Sequence, residues 1–221
     1  MTQFELLTFD CYGTLIDWEL GMRNALKMLA QKKNLSLDME KIPERYIEIE
    51  LKVEQEKYRK YREVLTIGVR KLFNELGIEL TVDEERIFAD NIPTWPPFAE
   101  TKEVLEQLKK KYKLVILSNI DEDIIRQSAK LIDVNFDGFV TAEQTKSYKP
   151  NHGHWNRMLE VFKIPKEKVL HIAASYIHDI VPAKELGFAA VWINRKNESI
   201  KGDIKPDHEF KDLNPLIKLL M

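Results

Sequence analysis

Residues 4–15 read FELLTFDCYGTL. Phe4 to Phe9 is a short apolar run that stops at Asp10, and Gly13-Thr14 follow at once. A run of this length closed by a turn signal predicts a buried strand and then a tight loop. An aspartate at the end of such a strand has the backbone N–H groups of the following turn close by. That turn can hold an anion beside the carboxylate. A carboxylate that is oriented and partly desolvated can act as a nucleophile. A helix cap or a turn-forming Asp is the plainer reading of the same residue.

Outward from this stretch the pattern changes twice. From Asp17 to about Asp90 no comparable strand occurs. Apolar positions there fall at helical spacing, as in Leu20, Leu26, Met28 and Leu29, and again in Ile47, Leu51 and Tyr58. Three or four helices are expected, with breaks near Asn34–Ser36, Tyr61–Arg62 and Gly77. Pro93, Pro96 and Pro97 then mark a return from this helical module. Beyond them helices and strands alternate. Helices are expected at Thr101–Lys111, Asp121–Leu131, Trp155–Phe162 and Val181–Leu186, the last closed by Gly187 at its C′ position. Strands are expected at Leu114–Leu117, Gly138–Thr141, Val169–Ala173 and Ala189–Ile193, with a short last one at His208–Phe210. Such alternation implies a parallel sheet covered on both faces. The fold class is therefore α/β, a sheet of about five or six strands with a helical insertion after the first. Ligands of such sheets bind at the C-terminal strand ends. Asp10, Ser118 with Asn119, the Ser175–Asp179 group, and Lys149 in a loop before a helix all fall there.

Composition narrows the function classes. The chain has 221 residues, enough for one large domain or a domain with an inserted module. Hydrophobic residues at 44% and charged residues at 32% exclude a disordered chain. Lys+Arg number 34 against 36 for Asp+Glu, which argues against a general nucleic-acid binder. Cys11 is the only cysteine, so neither an internal disulfide nor a cysteine zinc cluster is available. The histidines show no metal-ligand spacing on one helix. The first residues lack the basic start and long apolar run of a signal peptide, and no run approaches a membrane span. A cytoplasmic protein acting on a small molecule, with neither nucleic acid nor membrane as partner, is the expectation. A homodimer is allowed for.

FDCYGTLID, SNID, SYKP and ASYIHD, in this order, resemble the four motifs of the haloacid dehalogenase (HAD) superfamily. The resemblance covers the whole chain. It implies a Rossmann-like α/β core of residues 1–16 and 92–221 and a helical cap of residues 17–91. Residue by residue it implies Asp10 as nucleophile and Thr14 fixing its turn. Ser118 and Asn119 would hold the substrate's anionic group or the leaving group. Lys149 would lie beside Asp10 and keep it ionised. Asp179 would stand at the mouth of the fourth core strand, and it or Ser175 would position the hydrolytic water. Cys11 and Tyr12 fall next to the nucleophile, where the substrate would pass.

The departures from the superfamily pattern set the subclass. Its phosphatases carry a general-acid Asp two positions after the nucleophile, where this chain has Tyr12. They read Gly-Asp-Ser before the last acidic residue, where this chain has Ala173-Ala174-Ser175. A halide leaving group needs no proton, and Asp-x-Tyr-Gly-Thr-Leu is what the 2-haloacid dehalogenase branch carries. No metal or other cofactor is expected. The alternatives are a phosphatase using Mg2+ through Asp10 and Asp179, and a member of the fold without activity. Other positions depart from the dehalogenase branch. Tyr176 replaces an Asn, and Trp155 stands where a Tyr usually follows the lysine. The cap arginine of that branch has no unambiguous match. Arg62 is the first candidate, with Arg45 and Arg59 behind it.

Overall fold

The structure is a computed structural model that describes residues 4–200 and 202–221. Leu6–Phe9 forms β1, buried along its whole length as expected of a strand covered on both faces. The helical insertion follows. Its first helix, α1 (Trp18–Lys33), is capped by the Asp17 side chain, which accepts from the Leu20 N–H, and it ends at a left-handed Asn34. Then come α2 (Lys41–Glu56), α3 (Tyr61–Glu75), α4 (Val82–Glu85) and α5 (Ile87–Asn91). The alternating region holds α6 (Thr101–Lys109), β2 (Lys113–Ser118), α7 (Glu122–Ile132), β3 (Gly138–Thr141), α8 (Ala142–Thr145) and α9 (Gly153–Phe162). It continues with β4 (Val169–Ala173), a π-helical turn at Tyr176–Ile180, α10 (Val181–Glu185), β5 (Ala189–Ile193), β6 (His208–Phe210) and α11 (Pro215–Leu220).

The six strands form one sheet in the order β3-β2-β1-β4-β5-β6, and every pairing is parallel. From β1 the chain adds strands outward through β2 and β3, then crosses to the other side of β1 for β4. The strand order therefore reverses beside β1, which is where open α/β sheets place their ligands. Phe9 lies opposite Ile116 on one side and Ile172 on the other. The C-terminal ends of β1, β2 and β4 therefore lie at one edge of the sheet, where Asp10, Ser118 and Ala174 emerge.

Alternation along β1 sends side chains to opposite faces. Leu7 and Phe9 join a core that continues into the insertion through Met22, Leu26, Phe73 and Phe88. Leu6 joins the opposite core with Val115, Trp155, Met158 and Trp192.

One local expectation needs correction. The break placed at Tyr61–Arg62 lies earlier, at Lys57–Lys60, and Tyr61 opens α3. The cause is a long-range cap: the Asp121 carboxylate accepts the Tyr61 N–H at 2.8 Å and the Arg62 N–H at 3.1 Å. The Ser175–Asp179 group falls at the end of β4, as expected. Ser175 caps the π-helical turn, accepting the His178 N–H at 3.2 Å.

Candidate active site

Gly13, at φ +97°, lets the chain turn sharply after Asp10, and the Cys11 carbonyl accepts the Leu15 and Ile16 N–H groups at 2.8 and 3.0 Å. Inside this turn the Thr14 hydroxyl donates to Asp10 Oδ2 at 3.0 Å and accepts the Ala174 N–H at 2.8 Å. Arg195 holds the turn from outside through the carbonyls of Gly13 (3.2 Å) and Thr14 (2.8 Å). Sequence reasoning missed Arg195, because its partners lie about 180 positions away.

Lys149 joins the strand ends. Its buried Nζ donates to Asp10 Oδ1 at 2.9 Å, Asp179 Oδ1 at 2.6 Å and the Leu117 carbonyl at 2.9 Å. Three donors meet three acceptors, so the ammonium is fully committed. Asn119 fixes the Lys149 backbone: its Oδ1 accepts the Lys149 N–H at 2.7 Å, and its Nδ2 donates to the Lys149 carbonyl at 3.1 Å. Behind Asp179, His171 Nε2 lies 3.1 Å from Oδ1, and His171 Nδ1 lies 2.9 Å from the Thr8 hydroxyl. With Nε2–H donating to the carboxylate, Nδ1 accepts from Thr8.

The two carboxylates are electrostatically unlike. For Asp179, burial works upward, but the Lys149 charge and the His171 hydrogen bond outweigh it and hold the group at about 2. For Asp10, burial dominates, and with the Asp179 charge it raises the carboxyl above its ordinary value against the pull of Lys149. Asp10 is thus the more basic carboxylate of the pair, and Asp179 the more acidic one.

A cavity of about 240 Å³ opens above these groups, reached by Asp10, Tyr12, Ser118, Asn119, Lys149, Ser175, His178 and Asp179. The Tyr12 hydroxyl is bonded to Ser128 Oγ on α7 at 2.8 Å, and burial pushes the phenol well above its ordinary value. The Ser175 hydroxyl lies 3.0 Å from His178 Nδ1, and burial lowers the His178 pKa, which favours the neutral ring. Cys11 does not line the cavity. It is wholly buried in the core, as a small apolar residue packs.

None of the three arginines considered from the sequence lines this cavity. Arg62 is turned away by Asp121 (Nε, 3.1 Å) and Asp123 (Nη2, 2.5 Å), and lines a separate hollow with Arg70, Arg86 and Asp90. Arg45 is paired with Glu75 and Glu48, and Arg59 with Glu56. Arg62 therefore ties α3 to the start of α7. Arg62→Ala should lower stability by about 1 kcal/mol in urea unfolding, while turnover stays within about threefold of wild type.

In place of an arginine, α2 brings Glu50 and Glu54 to the wall with Tyr46. Burial raises Glu50 to about 7 and, with the Glu50 charge, Glu54 to about 8. No signal in the sequence marks these two, since glutamates four apart on a charged helix read as a solvated face.

Asp10 and Asp179 each commit an oxygen to Lys149, and Ala174 offers only its backbone. Among the described residues no group of three or more His, Cys, Asp or Glu side chains is disposed around a metal position. No helix among them is long and apolar enough to cross a membrane.

Comparison with known proteins agrees with this architecture. An (S)-2-haloacid dehalogenase of Pseudomonas putida is 25% identical over 228 residues, covering 96% of this chain and 95% of the relative. The fold matches L-2-haloacid dehalogenase from Xanthobacter autotrophicus with a TM-score of 0.85 at 19% identity, over 99% of this chain and 98% of that one. It also matches the HAD-hydrolase YfnB from Bacillus subtilis, solved bound to magnesium, with a TM-score of 0.84 at 20% identity over 99% of both chains. Residues 4–187 match the model of the haloacid dehalogenase-like hydrolases, and the chain belongs to that hydrolase family.

Proposed function

We propose that this hydrolase is of the 2-haloacid dehalogenase type. An Asp10 carboxylate oxygen attacks the halogen-bearing carbon of a small 2-haloacid from the side opposite the halogen. The carbon–halogen bond breaks with its electron pair on the halide, and an aspartyl ester forms with inversion. Water then attacks the ester carbonyl and the acyl C–O bond breaks. The hydroxy product leaves with one proton released overall, and Asp10 keeps one oxygen from water. Asp179, held near 2, is a poor base, so it and Ser175 orient the water rather than deprotonate it. Ser118 lines the substrate side of the cavity, and Asn119 acts through Lys149.

The observation that carries this reading is Tyr12. It stands where the resemblance places a phosphatase's general acid, with its hydroxyl tied to Ser128 and its proton held more firmly than in water. A leaving alkoxide would find no carboxylic acid there, and a halide needs none. Phosphoryl transfer also spreads charge over several oxygens, which a cation normally neutralises.

Chelation tests the proposal. Halide release from the best 2-haloacid should persist after exhaustive EDTA treatment, and phosphate monoesters should stay at background with or without Mg2+. Phosphatase turnover that vanishes with chelator and returns with Mg2+, with no halide released from any haloacid, would replace this reading with the phosphatase.

A further inference from the structure

Among the described residues, the charged side chains lining the cavity are four carboxylates, Asp10, Glu50, Glu54 and Asp179, and one ammonium, Lys149. Lys149 is already shared between Asp10 and Asp179, so Glu50 and Glu54 face the cavity without a cationic partner there. Glu50 accepts a hydrogen bond from the Tyr61 hydroxyl. Two further features of the same wall point to a ligand. Tyr46, only 1% exposed, lines the cavity, and its hydroxyl has no hydrogen-bond partner. Trp18, Tyr61 and Trp95 add aromatic surface around it. Carboxylates set among aromatic rings are the chemistry that recognises an organic ammonium ion, through charge, hydrogen bonds and cation–π attraction.

We propose that the cap-facing end of the substrate is an organic ammonium group, held by Glu50, Glu54 and the Tyr46 hydroxyl. The inference rests on the dehalogenase-type reading for the reacting end and adds the chemistry of the other end. The reacting carbon sits at Asp10, and its substituent reaches toward α2. An ammonium there supplies donors to three acceptors and favours the ionised form of the two glutamates, which burial otherwise disfavours. A second carboxylate there would meet Glu50 and Glu54 with like charge and no arginine.

The test compares binding of propylammonium and its near-isosteric neutral counterpart, 1-propanol, to the whole protein by tryptophan fluorescence at pH 8.5. That pH lies above the values of about 7 and about 8 for Glu50 and Glu54. Propylammonium should bind at least about tenfold more tightly, and Glu50→Gln with Glu54→Gln should erase that preference. Equal or weaker binding of propylammonium to the wild type would overturn the proposal, whatever the folding of the double variant. So would an undiminished preference in a double variant with wild-type thermal melting. Tyr46→Phe should weaken propylammonium more than 1-propanol. Bromide release from 2-bromopropionate is measured in parallel. Ammonium preference without bromide release from any 2-bromo acid would remove the dehalogenase reading and leave the recognition site. Bromide release without ammonium preference would do the reverse.

Discussion

Lys149→Met should cost the protein both activity and stability. The substitution keeps much of the side-chain volume but removes the only positive charge between two buried carboxylates. Breaking one partner out of a buried ion pair costs about 3–5 kcal/mol, because the remaining charge is left uncompensated. Asp10 and Asp179 would then repel each other directly, and the Asp10 carboxyl, already raised by burial, would rise further. Less of it would be ionised at neutral pH. Turnover should fall by about 10²–10³-fold, with the acid limb of the pH–rate profile moved to higher pH. Urea unfolding and a pH profile measure the two effects. Adding Asp179→Asn to Lys149→Met should recover part of the stability and none of the activity, since it removes one stranded charge without restoring the ammonium beside Asp10. Wild-type stability in Lys149→Met would contradict the ion-pair geometry.

Asp10→Asn should separate chemistry from folding. The amide oxygen can still accept from Lys149, and the Thr14 hydroxyl keeps its bond to the Ala174 N–H. Stability should change by no more than about 1–2 kcal/mol. Turnover should fall by about 10⁴-fold or more, because a neutral amide is not a nucleophile at carbon and no neighbouring group replaces it. Asp179 is no substitute, because its carboxylate is committed to Lys149 and His171. Circular dichroism and halide release report the two quantities separately.

The parts of this site legible in the sequence share one property: each is fixed by its place at a strand end. Asp10 follows an apolar run, Ser118 closes β2, and Ala174-Ser175 follow β4, so periodicity alone carried them to one edge of the sheet. Motif resemblance added Lys149 and Asp179, and in the structure the Lys149 ammonium joins Asp179 to Asp10. What the sequence hid depends on contacts across long separations. Nothing local marks Asn119 as the residue that fixes the Lys149 backbone 30 positions away, or Thr8 and His171 as the support behind Asp179. The start of α3 is set by Asp121 from the sheet domain, so a local reading placed that helix break a few residues late. The helical insertion is the least legible part. Its arginines and glutamates alternate on similar helices, and only packing decides which face water and which face Asp10. Packing turned Arg62 toward Asp121 and Asp123, and brought Glu50 and Glu54 to the cavity.

The covalent role of Asp10 is tested most directly by a single turnover in oxygen-18 water with enzyme in excess over a 2-haloacid, followed by peptide mass spectrometry. Attack by water on the ester carbonyl places the label in the Asp10 carboxylate and leaves the first-turnover product unlabelled. Label found only in the hydroxy product, with Asp10 unlabelled, would mean that water attacks the substrate carbon directly and would contradict the account.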